Sequence, residues 1–292
     1  MNATTRIIVL LGGSIAGAAR ADLLGVDIEG TFYRVSTDDG STEPVGKAGP
    51  GFWSLALGPD NRHYASNFIE VHRVSPFTGE SEYLHPFSDV FASGSLAARE
   101  DGTLISGIIR YGMCYHQGWD VYEDEYVHDV PGPGGEFCAS AGHFRADGAF
   151  VVARLDDPVL YAVDPDTGEL GTVGTLMVGA KGVRDFATDA RTGLSYMTVI
   201  DDDHNAMLYR VDLFTAEHER IADLSDSGVL GISAITNCLA DFNEDGALNI
   251  LDFVAFQLAW RAGDDAADVN GDGVFDVLDF VAFQGLFFEG CR

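Results

Sequence analysis

The residues whose types and spacing could do chemistry most directly lie between Asp241 and Asp279. Two stretches, ADFNEDGALNILDFVAFQ and ADVNGDGVFDVLDFVAFQ, superpose on a shift of 27 residues. The shift aligns Asp241 with Asp268, Asn243 with Asn270, Asp245 with Asp272, Gly246 with Gly273 and Asp252 with Asp279. Calcium takes about six to eight oxygens, and a loop of about twelve residues supplies them from positions 1, 3, 5, 7, 9 and 12, with glycine at 6. The side-chain ligands would be Asp241, Asn243, Asp245, Asn249 and Asp252, then Asp268, Asn270, Asp272, Asp276 and Asp279. Position 7 gives a backbone carbonyl, so Ala247 and Val274 are acceptable there. Without metal, carboxylates crowded this closely repel one another. Asp/Asn-rich turns with no ion are the alternative, but two copies in one register favour two calcium ions.

No helical pattern precedes either loop, and position 12 is Asp rather than the Glu of an ordinary EF-hand. Tandem loop-then-helix units that close with Asp resemble the type I dockerin domain, over about Leu239 to Cys291. The resemblance implies a small α domain that docks onto a cohesin module and attaches a secreted, often polysaccharide-degrading, protein to a scaffold or cell surface. Where the family commonly carries a hydroxyl pair, at loop positions 10 and 11, this chain has Ile250-Leu251 and Val277-Leu278. Positions 17 and 18, often basic, are Gln257-Leu258 and Gln284-Gly285. The partner implied is therefore a cohesin-like or other scaffold protein. The Gly290-Cys291 ending, with Cys238 ahead of the first loop, looks like a dockerin variant that closes with Gly-Cys. Both helices are apolar nearly all round, so each must be buried on more than one side. Phe253, Phe256, Gln257, Trp260, Phe280, Phe283 and Gln284 are the expected partner-facing residues.

The elements that position these loops follow from the rest of the chain. It has 292 residues, with 46 acidic against 17 basic side chains and a net charge of −29. That excess argues against nucleic acid or an anionic membrane surface as partner. Residues 1–21 combine Arg6, a short apolar run and Ala19-Arg20-Ala21, the pattern of a secretory signal peptide. No later run is long enough to predict a transmembrane helix, and a secreted or extracellular location, with attachment at a cell surface, is the expectation. There the cysteines can oxidise. Sequence order suggests Cys114–Cys138 in the large domain and Cys238–Cys291 across the small one, one of three possible connectivities.

Residues 22–237 repeat two phrases in alternation. One is TFYRVSTDDGSTEPV, EVHRVSPFTGESEYL, VLYAVDPDTGELGTV and MLYRVDLFTAEHERI, with a degenerate copy GWDVYEDEYVHDV. The other is FWSLALGPDNRHYAS, GSLAAREDGTLISGI, AGHFRADGAFVVARL and VRDFATDARTGLSYMTV. Each is a hairpin, and two hairpins per ~40–50 residues predict a β-propeller blade. The count gives a mainly β fold of five blades, or six if residues 112–135 hide another, with an open β-sandwich as the alternative. Residues 230–235 form a lone opener that can close the ring with strands from residues 23–45. The phrase resembles secreted bacterial propellers only in general terms. Its Asp and Thr-Gly serve the turn, through side-chain-to-backbone hydrogen bonds and a glycine at positive φ. Residues 238–292 form the second domain.

Catalytic patterns are sparse. No histidine pair has zinc-helix spacing and no serine lies in a nucleophile elbow. Cys114 with His116 and Cys138 with His143 could gather a metal, but a disulfide beside ordinary strand histidines is the simpler expectation. Trp53, Arg99, Phe144, Arg145, Arg184 and Asp185 sit near strand openers and could line a channel mouth. The sequence thus predicts a secreted propeller acting as a binding domain, of carbohydrate among other ligands, anchored by a calcium-dependent module. The alternative is a glycoside hydrolase or lyase with its site at the channel mouth.

Overall fold

The structure is a computed structural model. It describes residues 22–59, 62–67, 69–76, 78–86, 91–110, 113–121, 125–130, 138–155, 157–164, 167–176, 181–189, 192–235, 240–243, 248–262, 267, 269, 274 and 276–289. The repeated hairpins fold into five antiparallel sheets of four strands each. Blade 2 is β4 (Ser54–Leu57), β5 (His63–Ser66), β6 (Glu70–Val74) and β7 (Ser81–Pro86). Blade 3 is β8 (Phe91–Ala98), β9 (Thr103–Arg110), β10 (Met113–Asp120) and β11 (Glu125–Val130). Blade 4 is β12 (Ala141–Phe144), β13 (Phe150–Arg154), β14 (Asp157–Val163) and β15 (Leu170–Thr175). Blade 5 is β16 (Gly182–Thr188), β17 (Ser195–Ile200), β18 (Ala206–Val211) and β19 (His218–Asp223).

Blade 1 closes the ring. Its inner strand is β20 (Val229–Ala234), and its outer strands are β1 (Asp22–Asp27), β2 (Thr31–Ser36) and β3 (Thr42–Lys47). Leu24 lies opposite Ser233 and Gly25 opposite Ile232, so the two ends of this domain are held in one sheet. The expected count of five blades and the expected closure are both observed. The degenerate copy at residues 118–130 falls in the ordinary outer hairpin β10–β11.

Burial follows radial position. Every residue of β20 is buried, whereas the outermost strands β3, β7, β15 and β19 consist of half-buried and exposed residues, His85 of β7 excepted. Their charged and polar side chains suit a sheet edge that must not recruit another strand. Cross-strand Arg73–Glu82 and Arg210–Glu219 pairs sit on this rim. The apolar core consists of five clusters, one between each pair of neighbouring blades. Phe150 and Val152 of blade 4, for example, pack with Ala97 and Ile105 of blade 3.

Inner strands run from a connection face, where blades are joined, to a turn face, which carries the turns within both hairpins of a blade. On the turn face the Asp-x-x-Thr-Gly phrase is a hydrogen-bonded unit. Asp164 Oδ1 accepts from Thr167 N at 2.9 Å, and Gly168 N donates to Asp164 O at 2.8 Å with φ of 73°. In blade 5, Ala216 occupies the glycine position at φ of 62°. These turns also lock blades together. A Cβ on Gly46 of β3 would lie 1.8 Å from Thr78 O, in the turn of the next blade. Gly174 of β15 meets Ala216 of blade 5 in the same way.

The Cys114–Cys138 disulfide is present, with Cα atoms 5.1 Å apart, and ties β10 to the approach to β12. Cys238 and Cys291 lie outside the described residues. The C-terminal part contains α1 (Ile250–Ala262) and α2 (Val277–Glu289). No helix among the described residues is long and apolar enough to cross a membrane.

Candidate calcium loops and the propeller mouths

Each C-terminal helix begins with the same cap. Asn249 Oδ1 accepts from Leu251 N at 2.8 Å, and Asp276 Oδ1 accepts from Leu278 N at 2.7 Å. In return Asp252 Oδ2 accepts from Asn249 N at 2.8 Å, and Asp279 Oδ2 accepts from Asp276 N at 2.9 Å. This is a reciprocal capping box, built from loop positions 9 and 12. Asp252 Oδ1 also accepts from Asn243 N at 3.3 Å, which draws position 3 against position 12.

Asp252 and Asp279 are both 0% exposed, and Asp241 is buried too. Burying a carboxylate is costly unless it is paired or holds a metal. Among the described residues Asp252 makes no ion pair; its partners are the two backbone N–H groups. Each carboxylate oxygen has about two acceptor sites, so Asp252 keeps capacity for a cation. The residues present therefore fit a calcium ion on Asp241, Asn243 and Asp252, with Asn249 at position 9. In the second loop Asp276 and Asp279 are the corresponding described side chains, and Val274 is exposed. Asp245, Ala247, Asp268, Asn270 and Asp272 lie outside the described residues. Among the described residues no group of three or more acidic, histidine or cysteine side chains is gathered as a metal cluster.

The two helices pack through their shared phenylalanines. Phe256 and Phe283 stack at 4.5 Å with 2° between ring planes, and Phe253 meets Phe280 edge-on at 5.5 Å. Phe256 and Phe283 are buried, so the expectation that they face a partner is corrected: their side chains are the core. Phe253 and Phe280 are half-buried against that core, Gln284 is half-buried, and Gln257 and Trp260 are exposed. Besides Trp260, the apolar surface lies on Ile250, Leu251, Val254 and Leu258 of α1 and on Val277, Leu278, Val281 and Phe288 of α2. Ile250 is 70% exposed, Val277 67% and Phe288 84%. The signal was in the sequence, because loop positions 10 and 11 carry aliphatic residues in both copies.

In the propeller, Asp185 is the one carboxylate on any of the five inner strands. It is fully buried and accepts four hydrogen bonds. Oδ1 takes Ser54 Oγ at 3.0 Å and Phe186 N at 3.0 Å; Oδ2 takes Leu55 N at 2.8 Å and Ile232 N at 2.9 Å. Ser54 Oγ in turn accepts from Leu96 N at 2.9 Å. The carboxyl thus joins inner strands β16, β20, β4 and, through Ser54, β8. Burial pushes its pKa well above the ordinary range, against the pull of the four hydrogen bonds.

The six expected mouth residues are divided between the two faces. Trp53, Arg184 and Asp185 belong to the connection-face half of the inner strands, whereas Arg99, Phe144 and Arg145 end or follow inner strands at the turn face. On the turn face a cavity of about 470 Å³ lies between blades 4 and 5. Its cations are already engaged. Arg145 is held by both oxygens of Asp147 at 3.0 and 2.6 Å and lies 4.3 Å over the Phe214 ring, and Arg210 pairs with Glu219. Cys114 and Cys138 are consumed by their disulfide, which leaves no thiol for the alternative metal site with His116 or His143. Asp201 Oδ1 accepts from Asp203 N and Asn205 N, so the acidic segment at 201–204 is a hydrogen-bonded hairpin tip.

No family model matches the chain, and no curated protein matches it. Among solved structures it is similar to TolB from Acinetobacter baumannii, with a TM-score of 0.46 and 15% identity over 68% of this chain and 52% of that one. It is also similar to a putative TolB from Agrobacterium tumefaciens (TM-score 0.45, 13% identity, 72% of this chain and 91% of that one). A third likeness is to Kuenenia stuttgartiensis hydrazine synthase (TM-score 0.40, 14% identity, 59% and 49%). The chain spans about half the length of the first and third of these.

Proposed function

We propose that this is an extracellular propeller protein whose C-terminal helix pair binds two calcium ions and docks the propeller onto a scaffold protein. The observation that carries the proposal is the pair of fully buried carboxylates, Asp252 and Asp279, repeated 27 residues apart at the starts of two helices. Calcium, when bound, supplies the positive charge that lets several carboxylates share one loop. The chain's own residues do the rest. Asn249 and Asp276 cap the helices, Asp252 ties the loop start to the helix, and the stacked phenylalanines hold the two units together.

The exposed aliphatic residues at loop positions 10 and 11 and one turn beyond form the docking face. With Ile250-Leu251 and Val277-Leu278 in place of hydroxyl pairs, the partner is a cohesin-like or other scaffold protein with an apolar receiving surface. The propeller is the cargo and acts as a binding domain. A glycoside hydrolase canonically uses two carboxyl groups about 5–10 Å apart; the inner strands offer only Asp185, and it is committed to joining those strands. That observation favours binding over catalysis at the channel.

The test is capture of a secreted-fraction partner on immobilised full chain, with calcium or with chelator. Capture is expected with calcium, and it should be lost both with chelator and in a Leu251→Glu, Leu278→Glu variant. Capture indifferent to both treatments would overturn the docking role.

A further inference from the structure

Arg184 is the bulged residue of β16. Val183 pairs with Val199 and Asp185 with Thr198, so Arg184 has no partner in the ladder. Bulges of this kind re-aim a side chain. The guanidinium carbon lies 5.4 Å from the centre of the Trp53 ring, on blade 2. Arg184 therefore reaches from blade 5 past blade 1, near the connection-face mouth. Its Nε is buried and has no hydrogen-bond partner among the described residues. Burial draws its pKa below the ordinary arginine value.

Six other arginines do have an anionic partner. With 46 acidic residues available, Arg73, Arg99, Arg145, Arg154, Arg210 and Arg220 each lie against a carboxylate. Arg184 does not, and each oxygen of its neighbour Asp185 already accepts two hydrogen bonds. The backbone N–H of Trp53 donates to Ser66 O at 2.9 Å, and the hydroxyl of Ser66 is also buried without a partner among the described residues. Buried polar groups are nearly always satisfied, so the orphaned Arg184 Nε calls for a reason.

We propose that the connection-face mouth binds an organic carboxylate. Arg184 supplies the ion-pair partner, and the accessible part of Trp53 carries the ligand's ring-shaped body. Guanidinium and carboxylate match in plane and spacing, and an aromatic face suits a flat or sugar-like ring. The inference stands on the propeller alone and does not depend on calcium at the helix pair.

The experiment is calorimetric titration of the full chain with D-glucuronate and benzoate, against glucose and benzamide as neutral isosteres and inorganic phosphate as a bare oxyanion. Saturable binding of at least one carboxylate is expected, weaker or absent for its neutral isostere, and unchanged by chelator. Arg184→Met should weaken that binding about 10- to 100-fold while leaving the melting temperature unchanged or higher, because it removes a buried unsatisfied donor. Trp53→Leu should weaken binding of the ring-bearing carboxylate. Absence of saturable binding by both carboxylates, or binding of phosphate alone, would overturn the proposal. So would an Arg184→Met variant that loses thermal stability yet binds as the parent does.

Discussion

Asp185 and Asp252 show two ways in which one buried carboxylate can organise its surroundings. Asp185 is saturated by donors from within the ring. Replacing it with Asn keeps the shape but turns one acceptor into a donor that faces a backbone N–H. Each stranded donor costs about 1–3 kcal/mol, so Asp185→Asn should lower the melting temperature clearly, as read by thermal unfolding. A variant as stable as the parent would remove Asp185 from its role as hub. Asp252 is only half used by its loop, and its remaining acceptor capacity is what makes a cation fit. The histidines set a third case. Burial lowers the pKa of His63, His116 and His143 each to about 4. A histidine depressed in this way contributes stability above its unfolded pKa of about 6.5, lost as pH falls toward 4. Asp185 acts in the opposite sense, since its raised pKa lends stability at acid pH that is lost as pH rises through the folded value. Three such histidines oppose one carboxyl between pH 6.5 and 4, each contributing on the order of 1–3 kcal/mol, so they set the sign there. Melting temperature should therefore fall across that range, and less steeply in His116→Leu. A flat profile in the parent would contradict this.

At the scale of elements, the outer-hairpin turn is the repeated joint. Its Asp, Thr and Gly each do what their chemistry allows, and the turn then fits against a bulge in the outer strand of the preceding blade. Gly46→Ala would drive a Cβ into Thr78 O and should cost about 1–3 kcal/mol. Ala216→Gly should raise stability by up to about 1 kcal/mol, because it relieves a non-glycine residue at φ of 62°. Urea unfolding of the two variants checks both signs. These joints explain what the sequence made legible. The Tyr-x-Val-Asp-x-x-Thr-Gly phrase carries its own local chemistry, so the hairpins and their number could be read directly. The bulge that frees Arg184 could not, because a bulge depends on the register of β17 against β16 rather than on any local pattern. The inward turn of Phe256 and Phe283 was missed for a related reason. On a helix apolar nearly all round, periodicity does not say which face meets the neighbouring helix.

For the whole molecule, closure is the decisive feature. β20, the last strand of the propeller, pairs with β1, the first, and Asp185 bonds to β20 and β4 across the axis. The disulfide adds a second constraint, closing a loop over a sequence separation of 24. In chain-entropy terms its removal should cost about 3–4 kcal/mol; a Cys114→Ser, Cys138→Ser variant that unfolds at the parent's urea midpoint would contradict that figure. The account's central claim, however, concerns the tail, where each copy of one loop buries its position-12 carboxylate. It is tested most directly by calorimetric titration of calcium into the metal-stripped full chain. Two ions should bind per chain, and Asp279→Ala should reduce the count to one while leaving the propeller's unfolding unchanged. A parent chain that takes up no calcium at millimolar concentrations would contradict it.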